Sequence, residues 1–286
     1  MKKRGQVTIF LIIGIVILIL AGIFYYIRSY SAKTVLDNAP DKVRSSEADI
    51  VKTYAETCIK SISDYALFNK IGMQGGYLNP NGDLKYNENG VPSPGPKPTM
   101  YLESIVPYYL NDSKTYYPNL QEISNKISKY INAELGNCFK KDVFESIGIG
   151  IEPLEAVKSE VSLNEEDISI NVNYAIIVKK GDAKTRIGSF RVVLPIRLKQ
   201  LYQSAIFLVE KVKSLQPDNK YDISTDCNIY DKNGLTNVYL RDSNDKKGRI
   251  VQFVDFSTYN NYYFNSYIFQ FAVMNVTIEG SCVGRA

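Results

Sequence analysis

The chain has no histidine and no tryptophan, and its four cysteines include no C-x-x-C pair. Without an imidazole there is no Ser-His-Asp triad, no Cys-His dyad, no histidine-ligated zinc and no imidazole proton shuttle. Cysteines this far apart also argue against zinc ribbons and dithiol redox motifs. There is no G-x-x-x-x-G-K-[ST] loop. Gly148-Ile149-Gly150 runs into Ile151-Glu152-Pro153 and does not continue to G-x-G-x-x-G, so nucleotide binding has no support. No Ser-x-x-Lys stands in a nucleophile context. The charge is weak as well: 34 basic against 30 acidic residues leave +4, too mild for a nucleic-acid footprint.

What the chain does have is unevenly placed. A run of 21 residues, Val7 to Ile27, carries no charge. At about 1.5 Å per helical residue it spans roughly 30 Å, the thickness of a bilayer core. Lys2, Lys3 and Arg4 precede it, and Tyr25, Tyr26 and Arg28 stand where interfacial anchors belong. No small-residue cleavage site follows, so the run reads as a retained transmembrane helix rather than a secretory leader. Basic residues flank both ends and favour a cytoplasmic N-terminus only slightly. The organisation expected is a cytoplasmic basic segment (1–6), a transmembrane helix (7–27), a stalk (28–40) and an extracytoplasmic α+β domain (41–286).

The segment Lys2-Lys3-Arg4-Gly5-Gln6-Val7-Thr8-Ile9-Phe10 resembles the class III signal peptide of archaeal type IV pilin-like proteins. The resemblance implies cleavage between Gly5 and Gln6, with Thr8 at the usual serine position. Phe10 departs from the pattern, since filament-forming pilins carry a glutamate there to meet a neighbour's free amine. The chain also resembles membrane-anchored, single-span surface proteins of small-genome archaea, through the N-terminus and a Cys-containing helix before a QGGY-like turn. That likeness implies no biochemical activity.

An even number of cysteines beyond a membrane anchor points to two disulfides, for which three connectivities exist. Val51, Tyr54, Ala55, Cys58, Ile62, Tyr65 and Ala66 recur at helical spacing, which puts Cys58 on an apolar helix face. Leu120, Ile123, Ile127, Ile131, Leu135 and Cys138 do the same. Cys227 precedes an expected strand and Cys282 follows the last one. The pairing expected is Cys58–Cys138 and Cys227–Cys282.

Further elements follow from periodicity. Helices are expected over 41–71 and 118–147, then a hairpin of 168–178 and 190–198 turning at Gly181-Asp182, then a helix over 198–215. Strands are expected around Val238, over 249–256 and over 264–279. The fold class is α+β: an N-terminal transmembrane helix, then amphipathic helices packed on a largely antiparallel sheet. Residues 72–100 hold six Gly and five Pro and read as an exposed loop. Its first residues, Gln74, Gly75, Gly76 and Tyr77, together with Tyr262 and Tyr263 of an aromatic-rich segment, are the candidate partner-binding residues. The alternation of Tyr267, Phe269, Phe271 and Val273 reads as a core strand face. Asn111-Asp112-Ser113 fits a glycosylation sequon in a loop, while Asn275-Val276-Thr277 falls in a strand. Glu165-Glu166-Asp167 reads as a solvated turn, and Asn79, Asn81 and Asp83 lack the rest of a calcium loop.

These features lead to a non-enzymatic, single-pass cell-membrane protein with a structural or binding ectodomain. The expected partners are the lipid bilayer and a surface protein or glycan, without nucleic acid, cofactor or metal. The alternatives are a pilin-like subunit self-assembling through its apolar helix and an anchored hydrolase working with carboxylates, which needs no histidine.

Overall fold

The computed structural model describes residues 46–78, 98–101, 104–111, 113–215, 220–230, 235–243, 248–260, 265–274 and 277–283. The transmembrane run, the Gly5–Gln6 junction, the stalk, most of the Gly/Pro-rich stretch, Tyr262 and Tyr263 lie outside these residues. So does Asn275.

Helix α1 (Ser46–Ala66) opens with Glu47 and Asp49, whose charges suit the positive end of the helix dipole. Of its expected apolar stripe, Val51, Ala55, Cys58 and Ala66 are buried, Tyr54 and Ile62 are half-buried, and Tyr65 is exposed; Ile59 joins the buried face. The helix runs into a π-turn (Leu67–Ile71) and stops at Gly72. Helix α2 (Leu120–Cys138) starts at a capping box: Asn119 accepts from the Glu122 backbone, and Glu122 reaches back to the Asn119 N–H. The expected single helix over 118–147 is broken. Phe139 leaves helical geometry, and a short α3 (Lys141–Glu145) follows. The break lets Phe139 and Phe144 turn inward onto Tyr54, at ring distances of 6.0 and 5.1 Å, which a continuous helix could not do.

The hairpin is present as β6 (Ile168–Lys180) and β7 (Ala183–Leu194), joined at Gly181, whose φ of 56° suits the tight turn. Its second strand ends at Leu194, before Pro195, and not at Leu198. Pro195 has no N–H for a strand ladder, and Leu198 instead begins α4 (Leu198–Lys213). Two strands that the periodicity did not single out, β4 (Gly150–Pro153) and β5 (Lys158–Leu163), pair with β6 on the side opposite β7.

A second sheet holds β1 (Pro98–Tyr101), β2 (Ser104–Asn111), β3 (Lys114–Thr115), β9 (Thr236–Asp242), β10 (Gly248–Asn260) and β11 (Asn265–Met274). Its order is β1-β2-β11-β10-β9, with β3 paired to β2. The β2–β11 contact is parallel and its other pairings are antiparallel. The expected strand over 264–279 is divided: β12 (Thr277–Glu279) leaves this sheet and pairs in parallel with β8 (Lys220–Asp222). The fold is thus mixed α+β with antiparallel-rich sheets.

One continuous core joins α1, α2, β6, β7, α4, β10 and β11, and residues 50–286 cluster as one compact unit. Tyr267, Phe269, Phe271 and Val273 all lie fully inside it. Tyr109 stacks on Phe271 at 4.6 Å, and Phe271 lies 6.1 Å from Phe253. The disulfides are Cys58–Cys138, which links α1 to the end of α2, and Cys227–Cys282, which links the chain end to helix α5 (Cys227–Tyr230). Cys227 begins a short helix, and the expected strand around Val238 follows as β9. Among the described residues no helix is long and apolar enough to cross a membrane.

Candidate functional site

The junction between β7 and α4 carries the most concentrated polar chemistry of the described residues. Pro195 ends the strand, and Arg197 precedes the first turn of α4 with its side chain turned inward, only 4% exposed. Its guanidinium meets Asp255, itself fully buried, through two bonds: Nη2 to Oδ1 at 2.6 Å and Nε to Oδ2 at 3.1 Å. Nη2 also donates to Thr236 Oγ1 at 3.2 Å.

Asp255 is prepared for this by the backbone of β10. The β10–β11 register slips between Asp255 and Tyr259, so the next residues curl back onto the carboxylate. Ser257 donates to Oδ1 from its N–H at 2.9 Å and its hydroxyl at 2.6 Å. The Thr258 hydroxyl donates to the Pro195 carbonyl at 2.7 Å and sits 3.2 Å from Oδ2. A buried ion pair is tolerable only when the surrounding polar atoms are satisfied, and this one meets that condition. It ties one sheet to the other, because β7 leads into Arg197 while Thr236 and Asp255 belong to β9 and β10.

Above the pair opens a cleft of about 390 Å³. It is lined by Arg197 and Thr236, by the polar Glu165 and Glu166 of the β5–β6 turn and Gln200, Gln203 and Ser204 of α4, and by Phe207, Ile229 and Tyr230. The two glutamates are held in place: Lys199 bonds Glu165 at 2.7 Å and Gln200 bonds Glu166 at 2.8 Å. Both are exposed to solvent. The Tyr230 hydroxyl lies 2.6 Å from that of Tyr221, which donates to Asp226 at 2.5 Å. Burial pushes the Tyr230 phenol up to about 12, so it stays protonated at neutral pH. The cleft therefore offers carboxylate acceptors, amide groups and aromatic rings, the kinds of group that hold a small polar ligand. Among the described residues no group of three or more Asp, Glu or Cys side chains is placed to hold a metal ion.

The residues singled out by sequence fall elsewhere. Gln74, Gly75 and Gly76 are buried, inside the fold rather than on an exposed loop. Their turn is clamped to β2 and β11. Tyr109 donates to the Gly75 carbonyl at 2.6 Å, while Gln270 donates its backbone N–H to Gly72 and its side-chain amide to Met73, each at 2.9 Å. The glycines serve this close approach: φ is 53° at Gly75 and 76° at Gly76, and a Cβ on Gly76 would stand 2.7 Å from Ile123. Tyr77 is half-buried, with Lys126 Nζ 4.5 Å above its ring. Burial raises the Tyr77 phenol and lowers the Lys126 ammonium. The exposed-contact reading is thus corrected at 74–76, where backbone satisfaction leaves little to offer a partner.

Asn111 is also differently placed. It ends β2, paired with Lys114 of β3, and its Oδ1 is buried without a hydrogen-bond partner. The Arg197–Asp255 pair was missed because a lone arginine and a lone aspartate 58 residues apart carry no periodic signal. The one available cue was Pro195, which marks where the strand must end. Comparison with protein-family models, with curated proteins and with solved structures returns no match.

Proposed function

We propose that this chain is a single-pass membrane protein whose residues from about 30 onward form an extracytoplasmic binding domain, with the N-terminus in the cytoplasm. The observation that carries the reading is that all four cysteines are joined in two disulfides. Such bonds persist in oxidising compartments and are rare where thiols are kept reduced. The uncharged run Val7–Ile27 supplies the matching anchor, and the bilayer is its partner. The cleft above Arg197 is the place for a polar ligand, with a glycan or a surface-protein side chain as the class that its acceptors and aromatic rings suit. Protease added to intact cells should digest the domain while leaving the N-terminal segment. A non-reducing peptide map of the cell-derived protein should contain both disulfide-linked peptides. A protected domain, or four free thiols, sinks the reading.

A second reading is favoured by one feature, the Lys2-Lys3-Arg4-Gly5-Gln6 sequence ahead of the apolar run. It makes the chain a pilin-like subunit, cut after Gly5 and assembling through the helix. Phe10 weighs against it, because burying the new amine would lack a charge partner. A mature mass beginning at Gln6 supports cleavage; one beginning at Met1 removes this reading.

A further inference from the structure

The two long sides of the β4–β7 sheet are treated very differently. On the β5 side, α2 covers the strand: the Ser159 N–H, a backbone donor of the edge, bonds Asn132 at 2.9 Å, and the Ser159 hydroxyl bonds the Ser128 carbonyl at 3.0 Å. On the other side β7 pairs with β6 alone among the described residues, and nothing described bonds to its outer edge. The strand is 12 residues long. Ala183 to Arg186, Gly188, Ser189, Arg191 and Val193 are exposed, and a Cβ on Gly188 would meet no atom within 4 Å. In an antiparallel pair every second residue of an edge strand points its N–H and C=O outward. Folded proteins normally shorten, bulge, charge or cover such an edge, because it is a template for another strand; here the β6–β7 register slips once, between Asn173 and Ile176, and the remaining pairs run regularly on either side.

The chemistry of the edge is one-sided. β7 carries Lys184, Arg186 and Arg191 and no acidic residue. Arg186 has one loose partner, Glu155 at 3.8 Å with both side chains exposed, and Arg191 has no ion pair among the described residues. Cations at an edge discourage pairing with a second copy, since antiparallel self-pairing would bring the two sets of three together. They favour a strand that brings carboxylates.

We propose that the outer edge of β7 receives an extended acidic segment of a partner protein as an added strand. Main-chain hydrogen bonds along β7 supply affinity, and Lys184, Arg186 and Arg191 select for glutamate or aspartate. This does not depend on the anchor or on the side of the membrane, so it can fail or hold separately from the function proposed above.

The test uses the full-length chain in detergent micelles and fluorescence anisotropy. The probe is a short labelled peptide alternating glutamate with valine. Controls replace glutamate by lysine or add N-methyl groups at alternate peptide bonds, which keep the charge and remove the donors. The acidic peptide should bind at least about tenfold more tightly than the lysine one, and N-methylation should abolish binding. Arg186→Glu with Arg191→Glu, both at exposed positions, should weaken binding by about tenfold while thermal unfolding stays unchanged. Undiminished binding of the N-methylated peptide, or no effect of the double substitution, overturns the proposal. So does a peptide-free dimer in sedimentation that the charge reversal abolishes, because the edge would then be an interface between copies.

Discussion

At the scale of single residues, the Arg197–Asp255 pair has the most at stake. Each partner is buried, and removing one leaves the other charge without compensation. Asp255→Ala should therefore cost about 3–5 kcal/mol in urea unfolding, whereas replacing both by Met and Leu should recover most of the loss. Tyrosines define a second residue-scale expectation. Burial pushes the phenols of Tyr202 and Tyr230 up to about 12, while unfolded tyrosine titrates near 10. The folded pKa is raised, so this stability is complete below about pH 10 and is lost as pH climbs toward 12. Tyrosinate absorbance should show buried phenols ionising together with loss of tertiary signal. With no histidine in the chain, no side chain at its ordinary pKa titrates between about pH 5 and 8, and the unfolding midpoint should be flat there. A marked neutral-pH slope would contradict that account.

At the scale of elements, the turn after α1 shows how a sequence signal can be right in kind and wrong in use. Its glycines do mark the helix end, but they allow the backbone to press against β11 rather than to reach out. A Cβ on Gly72 would lie 2.1 Å from the Ile268 carbonyl oxygen, a backbone atom that cannot swing aside. Gly72→Ala should destabilise by about 1–3 kcal/mol, read by thermal unfolding; a neutral result would mean that the turn is not held against the strand. Helix periods were legible because α1, α2 and α4 each bury one stripe. The short strands were not: β5 is Lys-Ser-Glu-Val-Ser-Leu and β8 is three residues long, too few for a period to stand out. The break at Phe139 was hidden for a different reason. Local spacing continues past it, and only packing around Tyr54 turns the chain.

At the scale of the whole molecule, the disulfides close distant segments, with sequence separations of 80 and 55 residues. In the chain-entropy description each stabilises by about 4 kcal/mol by restricting the unfolded chain. Paired Cys→Ala replacement at 58 and 138, or at 227 and 282, should lower the denaturant midpoint by corresponding amounts. The second pair should also increase proteolysis near the C-terminus, because outside the disulfide the backbone of Cys282 is held by an isolated bridge to Val238 and not by a strand ladder. Equal stability of the reduced and oxidised chains would remove the argument that the bonds support the fold.

Composition and spacing by themselves determined the exclusion of histidine chemistry, the helix stripes, the main hairpin and the expected cysteine partners. Each rests on a local period or on the absence of a residue type, and both are visible in one dimension. The tertiary structure alone decided that the glycine turn is an internal clamp, that Arg197 and Asp255 meet, and that α2 covers one edge of the β4–β7 sheet while none of the described residues covers β7. Those are relations between residues far apart in the chain, and a pattern of short period cannot encode which distant partner a polar group or a strand edge will find.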